Sequence, residues 1–126
     1  MVKTTEEIEN TIPKISKNLM MDSAPKWQIL RFLINMSLSI EEKNSFEFDV
    51  NLNGKEYRLE QVTGLNKEDD KTELYKKMIN LFNERHNIEI KDFEKNLSYH
   101  IQRGYFFIEK SIEKKFNLYE YIYQKI

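Results

Sequence analysis

Phe93-Glu-Lys-Asn-Leu97-Ser-Tyr-His100-Ile101-Gln-Arg103-Gly104-Tyr105-Phe-Phe-Ile108 is the stretch on which the fold turns. Phe93, Leu97, Ile101, Tyr105, Ile108 and Ile112 recur every three or four residues, the period of one helix face. The pattern predicts a long helix starting near Asp92, which can cap it, and ending about Lys115. Gly104 sits in its middle, where glycine costs about 1 kcal/mol relative to alanine. A close approach by another backbone is the usual reason to keep it. His100 and Arg103 lie one turn apart beside it. Two readings stand: structural hydrogen bonds at a tight helix crossing, or a pair that faces a phosphate or a partner.

Working back along the chain, residues 70–86 predict another helix with Leu74, Met78, Leu81 and Phe82 as its buried stripe. His86 falls at its end, where a cation suits the helix dipole. Glu68-Asp69-Asp70 reads as a solvated helix start; no second acidic motif or phosphate loop supports a magnesium site. Phe46, Phe48, Val50 and Leu52 alternate with polar residues and lead into Asn53-Gly54. Over 46–60 this predicts a β-hairpin with a type I′ turn, pairing Leu52 with Lys55, Val50 with Tyr57 and Phe48 with Leu59.

Asp22-Ser23-Ala24-Pro25 is a turn, with Ser23 or Ala24 as the expected N-cap of the next helix and Pro25 in its first turn. Trp27, Leu30, Phe32, Leu33, Ile34, Met36 and Leu38 make that helix apolar on most sides, so it should be the central one. Residues 5–21 predict a first helix, capped by Thr4 or Thr5, with Ile8, Ile12, Ile15 and Leu19 as its stripe. Pro13 interrupts it and leaves a second option open, residues 1–13 as an N-terminal arm. Residues 116–126 predict a short C-terminal helix. The fold expected is mainly α: one domain over 1–126, four to five helices and one small hairpin.

Composition narrows function. A chain of 126 residues with 40% hydrophobic and 13% aromatic content can build one core. It has no cysteine, which excludes a thiolate nucleophile, a cysteine-held iron–sulfur cluster and a persulfide carrier. No zinc spacing, Gly-rich phosphate loop or nucleophile elbow occurs, so no catalytic, metal or cofactor-binding residue is assigned. No apolar run approaches the roughly 20 residues that span a bilayer, and the start lacks a signal-peptide pattern. The expected location is the cytoplasm.

Net charge is −1, yet unevenly laid out: residues 41–70 carry nine acids against four bases, and 71–115 ten bases against seven acids. Many bases alternate with acids at helical spacing, as a solubilising face does. Lys14, Lys17, Lys26 and Arg31 lie on the two helices that flank the Asp22–Pro25 turn, and no acid occurs between Asp22 and Glu41 to neutralise the second of them. Lys26 also falls in the first turn of its helix, whose free N–H groups attract phosphate.

Ala24-Pro25, Trp27 to Arg31, Ser37-Leu38-Ser39, Gly54-Lys55-Glu56 and His100-Ile-Gln-Arg103-Gly104 occur in that order. Over about residues 14–112 this set resembles the DndE family of bacterial DNA sulfur modification. That system replaces a non-bridging phosphate oxygen with sulfur. The resemblance implies a compact, oligomeric, non-catalytic DNA-binding subunit with a preference for nicked duplex. Its neighbours would be an ATP-dependent sulfur-activating enzyme, a cysteine desulfurase and an ATPase. Lys14, Lys17, Lys26, Arg31 and Arg103 are then the expected phosphate contacts. The alternative is a protein–protein adaptor in the same complex that does not touch DNA. Self-association is expected from the apolar helix, the hairpin and the tyrosines at 119, 121 and 123.

Overall fold

A computed structural model describes residues 1–42, 46–113 and 123. Among them the elements run β1 (Val2–Lys3), α1 (Glu6–Asn18), α2 (Lys26–Ser39), β2 (Glu56–Tyr57), α3 (Leu59–Thr63), α4 (Thr72–Arg85) and α5 (Phe93–Glu113). The chain is mainly helical with one two-stranded antiparallel sheet, as its sequence predicts. No helix among the described residues is long and apolar enough to cross a membrane. Apart from Tyr123, the expected helix over 116–126 lies outside the described residues.

In α1, the Thr5 side chain accepts from the Ile8 N–H, and Glu6, Glu7 and Glu9 fill the first turn. Both features stabilise a helix N-terminus. Pro13 lies on the exposed side, so Ile8, Ile12 and Ile15 stay in register against the core. Residues 1–13 are thus not an arm: Val2, Ile8 and Ile12 are all buried.

α2 starts one or two residues later than expected, because Pro25, with ψ of 153°, is itself the N-cap. It is the central helix, burying Ile29, Leu30, Leu33, Ile34, Met36 and Leu38, and it packs most extensively on α5. At the crossing, a Cβ built on Gly104 would stand 1.9 Å from the Leu33 carbonyl oxygen. Only a residue without a side chain lets the two backbones come this close.

The hairpin over 46–60 does not form. Tyr57 and Glu56 pair with Val2 and Lys3, 50 or more residues away. Gly54 has no positive φ; the glycine that does is Gly64, the left-handed C-cap of α3. Gly54 instead sits against the chain start, donating to the Thr4 carbonyl at 2.8 Å, with a would-be Cβ 2.5 Å from the Thr5 oxygen. The upstream half of the expected hairpin finds other partners. The Gln102 side chain accepts from the Asp49 N–H and donates to the Asp49 carbonyl, both at 2.9 Å, much as a neighbouring strand would. Phe46 and Phe48 pack on the Tyr99 ring, while Val50 is 77% exposed. Leu59, expected in the second strand, opens α3.

Of the stripe its sequence suggests for α4, Phe82 alone is buried. Tyr75, Ile79 and Phe82 face the core, with Thr72 and Asn83 between them. Leu74, Met78 and Leu81 are exposed, at 53%, 37% and 59%. Thr72 and Asn83 can turn inward because both are hydrogen-bonded there: Thr72 donates to Thr63 Oγ1 at 2.7 Å, and Asn83 joins the chain described next. Of the stripe expected in α5, Leu97, Ile101, Tyr105 and Ile108 are buried and Phe93 is half-buried, while the Ile112 side chain lies outside what is described.

Candidate functional site

The residues that looked most chemical, His100 and Arg103, lie inside the protein. His100 is fully buried and Arg103 is 4% exposed. His100 Nε2 faces Asn83 Oδ1 at 3.1 Å, and its Nδ1 faces Ser37 Oγ at 2.7 Å. A carbonyl oxygen can only accept, so the Nε2 proton points at Asn83 and Nδ1 accepts the Ser37 hydroxyl proton. Asn83 Nδ2 donates in turn to Asn96 Oδ1 at 2.7 Å. Asn96 Nδ2 donates to the Ile90 carbonyl at 2.8 Å and the Asp92 carbonyl at 3.2 Å. At the other end Arg103 donates to the Ser37 carbonyl and, at 3.2 Å, to Ser37 Oγ. Every donor in this chain runs the same way, and it ties α2, α4 and α5 together.

That order requires a neutral imidazole. Burial, with a smaller contribution from the Arg103 charge, pushes the His100 pKa down to about 3. Ser37, His100 and Asn83 together have the residue types of a hydrolytic triad. Ser37 and His100 are fully buried, however, and no substrate reaches them. The arrangement holds helices rather than attacks bonds. Among the described residues no group of three or more His, Asp or Glu side chains could hold a metal ion.

The five expected phosphate contacts divide sharply. Arg103 is held by four acceptors: besides Ser37, it donates to the carbonyls of Ile40 at 2.9 Å and Glu42 at 3.1 Å. Its guanidinium also lies 4.7 Å from the Phe82 ring centre and 4.8 Å from that of Phe107. It anchors the end of α2 and is not displayed for phosphate. Arg31 is likewise committed. It donates to the Val62 carbonyl and to Asp69 at 3.0 Å, and lies 4.5 Å from the Trp27 ring centre. Lys26 is exposed but pairs at 3.4 Å with Glu9. Glu9 in turn accepts from Thr4 and Tyr57, which joins the sheet to α1. Lys14 and Lys17 are exposed on α1, one turn apart, with no side-chain partner among the described residues.

His86 is the C-cap of α4, as its position suggests, and it stacks on Phe82. It shares the Glu41 carboxylate with Arg85, at 2.8 Å and 2.6 Å respectively. These donors hold the Glu41 carboxyl below the usual carboxylate range. Arg85 and His86, which line the adjoining cleft of about 340 Å³ with Phe46, Phe82 and Tyr99, are therefore already engaged by Glu41 of the same chain.

Ser37, Asn83, Asn96 and Gln102 carry the buried polar framework, and their roles were not readable singly. Only their position on otherwise apolar helix faces signals them. The glycine–carbonyl crossing and the His100 chain span residues 33–104, and the sheet draws in Val2 and Lys3. The family model for the DNA sulphur modification protein DndE matches the chain over residues 1–115. The chain belongs to the DndE family. No curated protein and no solved structure matches it. DndE membership gives the chain a role in DNA sulphur modification. It also extends the resemblance read from residues 14–112 back through β1 and α1, the segment whose place in the fold the sequence left open.

Proposed function

We propose that this DndE-family protein is a non-catalytic subunit that binds the DNA backbone for the sulphur modification system, through Lys14 and Lys17. The observation that carries this reading is their exposure without a side-chain partner on one helix, among a set whose other members are engaged within the protein. Contacts of this kind reach phosphates and not base edges, so binding would be independent of sequence. Its partners would be DNA, the other subunits of the modification complex and further copies of itself, in the cytoplasm. A chain without cysteine cannot carry sulphur as a persulfide, and this one would position DNA while other subunits do the chemistry.

The adaptor reading is the alternative. What favours it is the net charge of −1 and the engagement of Lys26, Arg31 and Arg103 within the fold. Gel shifts with nicked, intact and single-stranded DNA over a salt series separate the two. A DNA-binding subunit shifts duplex at low salt and loses it steeply as salt rises. No shift at the lowest salt would reject the reading and leave the adaptor.

A further inference from the structure

Two pairs of aromatic rings line the cleft beside Glu41, and a buried ring joins them. On α4, His86 stacks on Phe82 with ring centres 4.2 Å apart. On the α5 side, Phe46 meets Tyr99 edge-on at 5.3 Å. His100 lies edge-on to both Phe82, at 5.2 Å, and Tyr99, at 5.0 Å. The four outer rings share one opening of about 340 Å³, within the roughly 300–1,000 Å³ of small-ligand sites. Arg103 is also in its lining, with its charge held inside the protein. Among the described residues Arg103 donates only to uncharged groups, the carbonyls of Ser37, Ile40 and Glu42 and the Ser37 hydroxyl. A cation set in a low-dielectric wall projects its field into the opening and favours an anion there.

Arg85 spends one nitrogen, Nη2, on Glu41, and its other nitrogens have no hydrogen-bond partner among the described residues. That ion pair is exposed on both sides, so it is weak and readily exchanged. Asn87 and Glu42, both exposed, add an amide and a carboxylate to the lining, which between them can meet the donors and acceptors on the edge of a base. Aromatic faces for a ring, polar groups for its edge and a guanidinium for its phosphate are what recognition of an unstacked nucleotide requires. We propose that this cleft binds a single unstacked nucleotide, its base against Tyr99 and His86 and its phosphate on Arg85. Glu41 competes with that phosphate for Arg85. A free nucleoside monophosphate and an unpaired nucleotide of DNA share this chemistry. The site uses neither Lys14 nor Lys17, so only the second source rests on the DNA-binding reading.

The test has two arms on the full chain: equilibrium dialysis against radiolabelled deoxyadenosine monophosphate, and gel shifts of a duplex ending in one unpaired nucleotide beside a blunt duplex. Uptake of the free nucleotide, or tighter binding of the duplex with the unpaired end, is the expected result, and the arm that responds names the source. Arg85→Ala should weaken that binding by roughly tenfold, and Tyr99→Leu by a similar factor. Glu41→Gln frees Arg85 and should tighten it. Arg85 and Glu41 are exposed, so their variants leave the core intact. Inorganic phosphate that displaces the nucleotide at equal concentration would overturn the base site, as would wild-type affinity in all three variants. A chain that shifts both duplexes alike and takes up no nucleotide would overturn the cleft and keep the DNA-binding reading. Uptake of the nucleotide with no duplex shifted would do the reverse.

Discussion

Gly104 of α5 lies directly beneath the Leu33 carbonyl of α2, so close that a methyl group on Gly104 would fall 1.9 Å from that oxygen. The obstacle is backbone, not a side chain that could swing away. Gly104→Ala should therefore force the two central helices apart. We expect a loss of about 3 kcal/mol, the upper end for overpacking a core, measured by urea denaturation. Alanine is otherwise the better helix former by about 1 kcal/mol. An unchanged or raised midpoint would mean that α2 and α5 can separate at little cost.

Gly54 gives a sharper contrast. In a type I′ turn, asparagine would be tolerated there far better than alanine, because asparagine accepts positive φ. Here the constraint is the backbone of Thr4 and Thr5, which any side chain meets. Gly54→Ala and Gly54→Asn should cost alike, roughly 1–3 kcal/mol. A clear advantage for asparagine in thermal melts would revive the hairpin.

His100 makes stability depend on pH. Its folded pKa is about 3, below the ordinary 6.5, so the unfolded chain takes up a proton that the folded one refuses. Stability from this group is complete above pH 6.5 and is lost as pH falls towards 3. The slope is about 1.4 kcal/mol per pH unit. Replacing His100 with Gln should make the variant less stable at pH 7 but flatten its dependence between pH 6.5 and 4. Parallel curves for variant and wild type would show that the imidazole titrates freely.

Arg103→Lys keeps the charge and loses the fork that reaches the carbonyls of Ser37, Ile40 and Glu42. It should cost roughly 2–4 kcal/mol, since buried carbonyls lose charged donors. The salt slope of DNA binding should not move. A slope that falls with stability intact would return Arg103 to the phosphate-contacting set.

Lys14→Glu with Lys17→Glu should do the opposite. Both residues are exposed, so stability should change by less than about 0.5 kcal/mol. Binding to nicked and intact duplex should weaken equally, and the slope of log affinity against log salt should flatten by about two. Wild-type affinity and slope in the double variant would clear α1 of any DNA contact.

The sequence made the helices legible wherever one apolar period was unopposed, as in α1 and along α5. It misled where two periods overlapped. In α4, Leu74, Met78 and Leu81 form as good a stripe as Tyr75, Ile79 and Phe82. The choice rests on Thr72 and Asn83, whose distant partners Thr63, Asn96 and His100 no local pattern shows. The hairpin failed for a related reason. Alternation and an Asn-Gly pair are local signals, and Thr4 and Gln102 offered the same backbone groups partners from far along the chain. At the candidate site, the meaning of Gly104 was readable, since a glycine inside a helix has few uses. Which cations were engaged was not, because Glu9 and Asp69 meet Lys26 and Arg31 only after folding.

The pairing of β1 sets the order in which the molecule can be completed. Val2 waits for Tyr57, Thr4 for Gly54 and Lys55, and the Lys3 N–H for Ser98 Oγ, 95 residues on. A chain emerging residue by residue makes its first strand long before anything exists to receive it. Contacts this distant in sequence close slowly. Val2 and Lys3 can be seated only where β2 and α5 already stand side by side, and β1 fastens the one to the other.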